Sequence, residues 1–418
     1  MKNSLIYFSL VLTLLFIQCG NRHHTEKKEA IVEKMTFEDD LRFLEKYTDI
    51  IVLGKDSNKG KVAVSPALQG RVMTSSAKGM TGSSYGWINR KLFESGDTLA
   101  HINVFGGEER FWLGPEGGQF SIFFEKGKEF TGENWYTPKF LDLVPFDIIE
   151  QSEDKAVFRK STSLTNYSGF TFELEATREV KLLTRSAIAD ELNIELSDEL
   201  SVVAYQSTNT IKNTSAISWE KETGLLSIWM LGMYNPSPEI TVVIPYVQGD
   251  DQELGAKVID DYFGKVPADR LIVTEKVIFF KGDGQQRGKI GLTPQRAKEV
   301  LGSYDSESNT LTILKYTKPD GMADYVNSKW EIQDEPYKGD VVNSYNDGAP
   351  EPGKAPLGPF YELESSSPAA ALQSGQSLTH IQTTFHFEGD ESQLDVVAQS
   401  ILGVSLEEVK SAFNKIQQ

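Results

Sequence analysis

The chain is short of cysteine, histidine and positive charge. Cys19 is the one cysteine in 418 residues, so no intramolecular disulfide can form and no cysteine-based zinc centre can be built. Histidine occurs five times, and no pair stands at metal-ligand spacing; the adjacent His23 and His24 sit in a polar stretch and read as solvated. No metal or other cofactor is expected. Lys and Arg together number 42 against 60 Asp and Glu, a net charge of −18. That deficit argues against nucleic acid, whose binding rests on basic side chains displacing condensed counterions. Neutral, hydroxyl-rich ligands remain compatible. No repeat of fixed period and no Pro- or Ser-rich linker divides residues 50–389, so one domain is the simpler organisation. With 39% hydrophobic and 11% aromatic residues the composition is that of a globular protein.

The one extended apolar run lies at the start. MKNSLIYFSLVLTLLFIQ places a single Lys before an apolar stretch too short to span a bilayer comfortably, which is the pattern of a secretory signal over residues 1–18. The following FIQCG resembles the lipobox of bacterial lipoproteins, although Gln18 is larger than the small residue usual there. The resemblance implies lipidation of Cys19 and anchorage in the bacterial cell envelope, on the periplasmic side or the outer-membrane surface. Residues 19–35 are polar and mixed in charge, as a tether would be. Residues 36–418 are then the folded domain.

Within that domain TFEDDLRFLEKY predicts a helix: Thr36 can cap it, acids crowd its first turn, and Phe37, Leu41 and Leu44 share a face. Beyond residue 50 the period becomes two. GFTFELEAT puts Phe170, Phe172, Leu174 and Ala176 on one side and polar residues on the other. Comparable runs are KVAVSPAL, QFSIFFE, KAVFRKSTSL, LSVVAYQSTNTIKN, EITVVIPYV, LIVTEKVIFF, NTLTILKYT and LTHIQTTFHF, separated by Gly, Asn, Asp and Pro. The expectation is an all-β, mainly antiparallel protein. Short helices are expected at TPQRAKEVL and in SQLDVVAQSIL and SLEEVKSAF near the end.

One strand is chemically odd. In FYELES, Glu362 and Glu364 stand one pleat apart on the same side of the sheet, where two like charges need water, a cation or ligand hydroxyls. YELESSSPAAALQSGQSLTH with TTFHF is similar to the C-terminal region of the aldose 1-epimerases (galactose mutarotases), where a strand ending in Leu-Glu leads into a Pro-containing loop and a last long strand. INVFGGEERFWLGPEGG and KVAVSPALQGRVMTS resemble that family's Gly-Gly loop and opening strands, so the resemblance spans roughly residues 50–389. It implies a galactose mutarotase-like β-supersandwich, with the short N-terminal helix and C-terminal helices added, and a carbohydrate ligand. It also implies that Glu364 is the base for an epimerase-like or other sugar-modifying step. The family's histidine before the Gly-Gly pair is Phe105 here, and the counterpart of its His-x-Tyr-Phe stretch carries Ser227, Ile228 and Trp229 without a histidine. His101, four residues before Phe105, is the substitute proton carrier considered.

Arg110 and Trp112 alternate onto one face, a fork of donors beside a flat ring, which suits a sugar; the structural reading is that Trp112 is core and Arg110 neutralises Glu109 or Glu116. The glycines of FGGEERFWLGPEGG do not make a phosphate loop, because no Lys-Ser/Thr follows and Glu108, Glu109 and Glu116 would repel an anion. Asn103, Glu116, Tyr345, Asp347 and Glu362 complete the expected sugar contacts. Asn346-Asp347-Gly348 reads first as a turn, with a carboxylate cluster for sugar or Ca²⁺ as the alternative. Trp229 reads as core. His380 and His386 share parity with Gln382 and Thr384, opposite Ile381, Phe385 and Phe387, which predicts a polar outer surface. A monomer is expected. The rival to a sugar site is a structural or assembly lipoprotein that binds a protein partner.

Overall fold

Thr36 caps the first helix, Phe37–Leu44, in a reciprocal box with Asp39 that satisfies both end donors, and Phe37, Leu41 and Leu44 are buried as their spacing requires. The computed structural model describes residues 35–55, 59–321 and 323–414. The leader, Cys19, His23 and His24 lie outside the described residues. Those from Met35 onward form one compact unit.

Three antiparallel sheets carry the fold. A small one joins Ile51–Leu53, Lys61–Ser65 and Arg71–Ser76. A ten-stranded sheet runs, in spatial order, Leu271–Val273, Val277–Lys281, Ile240–Pro245, Val300–Asp305, Thr310–Tyr316, Ser377–Glu388, Ser201–Asn213, Thr171–Leu182, Lys155–Thr165 and Asp147–Gln151. A five-stranded sheet is ordered Gly288–Leu292, Val342–Asn346, Tyr361–Ser366, Ser227–Tyr234 and Arg110–Gly114. Most of the period-two runs become strands, and LIVTEKVIFF divides into two at Thr274 to Lys276. Near the end, Glu391–Leu402 and Leu406–Ser411 are helical as expected.

Two expectations are corrected. QFSIFFE is irregular, joined to its surroundings by a single bridge between Phe124 and Trp135, because Phe123 and Phe124 pack into an aromatic cluster instead of a sheet. TPQRAKEVL is a turn leading into Val300–Asp305. There Arg296 is fully buried and spends its guanidinium on the carbonyls of Val247, Gly249 and Gly255, so tertiary hydrogen bonds replace a helical ladder.

The five- and ten-stranded sheets pack face to face. Ile290, Val342 and Leu363 from one meet Val242, Ile278, Leu301 and Leu314 from the other, all buried to within 1% exposure. Each such side chain is worth roughly 1.5–3 kcal/mol of burial. Part of this interface is polar, and here the surface expected for His380 and His386 is overturned. His380, Gln382, Thr384 and His386 point inward. Ser365 Oγ lies 2.8 Å from His380 Nε2 and 2.6 Å from Gln382 Oε1, Gln382 donates to Glu109 at 2.8 Å, and His386 Nε2 is 2.8 Å from Glu108. Arg178 closes the network on Glu109 at 2.6 Å. The opposite, apolar face with Phe385 and Phe387 lies inside as well, under the terminal helices, so the strand is buried on both sides.

Candidate functional site

The site lies on the face of the five-stranded sheet that points away from the sandwich. Residues paired directly across antiparallel strands project to the same side. Glu364 pairs with Asn343 and Leu231, and Leu231 with Arg110. Glu362 pairs with Tyr345 and Met233, and Tyr345 with Lys289. One step further along, Ser366, Trp229 and Trp112 are in register. Arg110, Trp112, Trp229, Lys289, Asn343, Tyr345, Glu362 and Glu364 therefore share a face. Residues 252 positions apart meet there: Arg110 Nη2 forms an ion pair with Glu362 Oε1.

Glu364 has no exposed surface. Its Oε2 accepts from Trp229 Nε1 at 2.9 Å and from Lys289 Nζ at 3.1 Å, while Oε1 has no partner. The Lys289 ammonium lies 4.9 Å from the Trp229 ring and 5.9 Å from that of Tyr262, so it covers the carboxylate between two aromatic faces. Arg110 Cζ stands 5.1 Å from the Trp112 ring, and Trp112 meets Trp229 edge-on at 5.8 Å. Arg110 Nε and Trp112 Nε1 are buried donors without partners. Native proteins seldom leave such atoms unsatisfied, and these three, Glu364 Oε1, Arg110 Nε and Trp112 Nε1, stand on one face of the sheet.

The carboxyls differ in environment. Burial, opposed by the ion pair with Arg110, raises Glu362 above its ordinary value. Burial likewise raises Glu116 to about 7 against the pull of Lys289, and Asp340 to about 7 against its bond to Asn343. Lys289 is held above its ordinary value, because Glu364, Glu116 and Glu362 outweigh its burial. Arg110 is lowered by burial, with Glu362 and Glu364 opposing. Glu116, poised near neutrality, beside Glu364, ion-paired with Lys289, is a usable set for moving a proton.

Glu116 reaches this group because the strand Arg110–Gly114 ends just before it and the next residues fold tightly. A Cβ on Gly117 would stand 2.3 Å from the Lys329 carbonyl oxygen, and one on Gly118 would strike the Gln333 side chain at 2.7 Å. The two glycines thus let residues 114–119 lie against 328–333, where Ser328 Oγ takes the Glu116 N–H at 3.1 Å. Close approach of two backbones is the reason for the glycine pair.

The remaining expected residues go elsewhere. His101 is in irregular chain, its Nδ1 2.6 Å from the Trp135 carbonyl oxygen and its ring stacked on Tyr136 at 4.3 Å; it supports an aromatic loop. Asn103 is buried and spends its amide and backbone N–H on Asp142 at 3.0 and 2.9 Å. Glu108 and Glu109 belong to the inter-sheet network, so Arg110 neutralises neither Glu109 nor Glu116. Asp347 is fully buried, accepting from Tyr345 Oη at 2.9 Å and from Gly358 N at 2.8 Å, and it positions the tyrosine of the site instead of forming a surface turn. Among the described residues no group of three or more His, Cys, Asp or Glu is placed to hold a metal ion.

Lys289, Tyr262, Asn343, Asp340 and Trp330 are the side chains that sequence reasoning missed as site residues; Trp229, read as core, is both buried and bonded to Glu364. A signal existed for Lys289: in GKIGL it alternates against the buried Ile290 and Leu292, which places one charge on the face opposite the core.

Residues 35–413 match the model of a family of unknown function, DUF6786. The chain belongs to that family. No curated protein matches it. Solved structures to which it is similar include a galactose mutarotase-like protein from Lactobacillus casei, at 12% identity and TM-score 0.42, covering 81% of this chain and 99% of that one. Others are a galactose mutarotase related enzyme from Lactobacillus acidophilus, at 10% identity and TM-score 0.42 over 82% and 97% of the two chains, and a Synechocystis protein, at 14% and 0.44 over 82% and 98%. Galactose mutarotase-like structures are thus among those this family member is similar to.

Proposed function

We propose that this DUF6786 protein binds a carbohydrate on the outer face of the five-stranded sheet, at the recess floored by Glu362, Glu364, Arg110, Trp112 and Trp229. The observation that carries the reading is the trio of unpartnered buried atoms, Glu364 Oε1, Arg110 Nε and Trp112 Nε1, set beside two tryptophan rings. A pyranose offers hydroxyls that both accept and donate, and an apolar face that packs on an indole. Lys289 covers Glu364, so entry begins with a ligand hydroxyl taking the place of its ammonium.

The finer reading is a sugar-modifying step of the aldose 1-epimerase kind. Glu364 takes the proton of the anomeric hydroxyl while Glu116, raised by burial to about 7 and partly open to solvent, protonates the ring oxygen. The bond between the anomeric carbon and the ring oxygen breaks, the aldehyde rotates and the ring recloses on its other face. Glu116 then fills the role of the histidines that are missing here, and His101 is not needed. The N-terminal 19 residues support the rest of the proposal, a lipid anchor at Cys19 that holds the domain at the bacterial envelope.

Thermal unfolding in the presence of neutral and acidic sugars tests the binding reading, since a ligand that prefers the folded state raises the midpoint. No shift with any of them would leave a protein partner as the better reading. Anomer exchange followed by NMR tests catalysis: the wild type must exceed buffer, and Glu364→Gln and Glu116→Gln must both lose the excess.

A further inference from the structure

From the floor of the recess a row of aromatic rings climbs to the surface. Trp229 meets Trp112 at 5.8 Å, Trp112 meets Phe123 at 5.5 Å, Phe123 stacks on Trp135 at 5.7 Å with 6° between planes, and Trp135 stacks on Trp330 at 6.0 Å. The rings at the recess end are buried, Trp229 at 7%, Trp112 at 4% and Phe123 at 2%, and the row reaches the surface only beyond Phe123, with Trp135 half-buried and Trp330 36% exposed. An exposed tryptophan usually buys nothing for the folded monomer, yet this one is held from both sides. Phe124 meets it edge-on at 5.1 Å. Its segment is fastened by Gln333, whose amide donates to the carbonyls of Lys329 and Asn327 at 2.8 and 3.0 Å, and by the Gln119–Gln333 pair at 2.8 and 3.0 Å. Tyr136, 46% exposed, is fixed by stacking on His101, and Ile332 beside Trp330 is 64% exposed. Trp135 Nε1 is a further buried donor without a partner.

We infer that Trp330, with Trp135 and Phe124 packed against it, is a second sugar subsite, and that the ligand is an oligosaccharide or polysaccharide end with at least two rings. This rests on the recess being a carbohydrate site. The two places are joined by this row of rings, and Glu116, just past the strand that carries Trp112, is tied to the Trp330 segment by its N–H bond to Ser328 Oγ at 3.1 Å. A free monosaccharide filling the recess would leave the Trp330 face bare, whereas the next ring of a chain lies naturally over it. A rigid indole face costs little ordering entropy on binding, and that is the condition under which stacking converts into affinity. An apolar protein segment fits less well, because the patch borders charged groups, Lys329, Glu331 and Glu116.

Isothermal titration of the intact domain with glucose, maltose and maltotriose, and with cellobiose and cellotriose, decides the matter. We expect at least one trisaccharide to bind the wild type about tenfold more tightly than the monosaccharide, the equivalent of one well-packed ring. Trp330→Ala should bring that ratio to about one, and Trp330→Phe, which keeps a flat face, should restore most of it. A ratio near one in the wild type, or a gain that survives in Trp330→Ala, overturns the inference. Trp112→Phe, which removes the unpaired indole donor and keeps an aromatic ring, separates the two readings: if it leaves every affinity unchanged while Trp330→Ala abolishes the trisaccharide gain, the subsite stands and the recess falls. Absence of binding by all five sugars overturns both.

Discussion

Trp229 and Glu364, 135 residues apart, are joined by an indole-to-carboxylate hydrogen bond of 2.9 Å, and Lys289 reaches the same oxygen at 3.1 Å. One oxygen of a fully buried carboxylate therefore carries both of its bonds, and the other has none. Most of what the site is expected to do follows from that asymmetry.

Replacing Glu364 with Gln keeps the shape and removes the proton acceptor. Anomer exchange should fall by about 10²–10⁴, the range for loss of a positioned acid or base. Sugar affinity measured by titration should change far less. Equal losses in both would make Glu364 a binding group.

Lys289→Met leaves the Glu364 carboxylate buried beside Trp229 without its cation. Breaking one side of a buried pair costs about 3–5 kcal/mol, whereas removing both partners together costs much less. Urea unfolding should show Lys289→Met strongly destabilised and the double variant Lys289→Met/Glu364→Gln close to wild type. Additive effects would mean the pair is not coupled in the folded protein.

The same argument applies inside the sandwich, where Arg178 and Glu109 are both fully buried at 2.6 Å. Arg178→Met should lower stability by about 3–5 kcal/mol in urea, since Glu109 then keeps only its bond to Gln382. An unchanged midpoint would show that water enters between the sheets.

Stability should fall as pH rises through the neutral range. Glu116, ordinarily at 4.5, and Asp340, ordinarily at 3.8, both stand at about 7 in the fold. Between those limits the folded state holds protons that the unfolded chain has released, so the stability they contribute is complete below the ordinary values and is lost as pH climbs through 7. His380 acts at the other end: burial lowers it from 6.5 to about 3, so its contribution is complete above 6.5 and is lost as pH falls towards 3. Unfolding midpoints recorded from pH 4 to 9 should therefore pass through a maximum on the acid side of neutrality, and Glu116→Gln should flatten the alkaline limb. A limb as steep in that variant as in the wild type would exclude Glu116 from it.

Local features were legible without coordinates because their causes are local. The Thr36 cap, the alternation of Phe172, Leu174 and Ala176 and the terminal helices each depend on residues a few positions apart, and each appears where it was read. The shared face of Glu362 and Glu364 follows from the pleat alone, and so does that of Arg110 and Trp112. Alternation gives parity, however, and parity does not say which side meets water. His380 and His386 show this, since both faces of their strand are buried and the polar one faces Ser365 and Glu108. Nor can a strand name its neighbour: Arg110 meets Glu362 across the intervening Ser227–Tyr234 strand, and Lys289 meets Glu364 from two strands away, by a sheet order that only long-range pairing establishes. The sequence determined which residues could stand together on a face; the tertiary structure decided which faces met, because the energy that selects strand partners comes from burying whole sheets against each other.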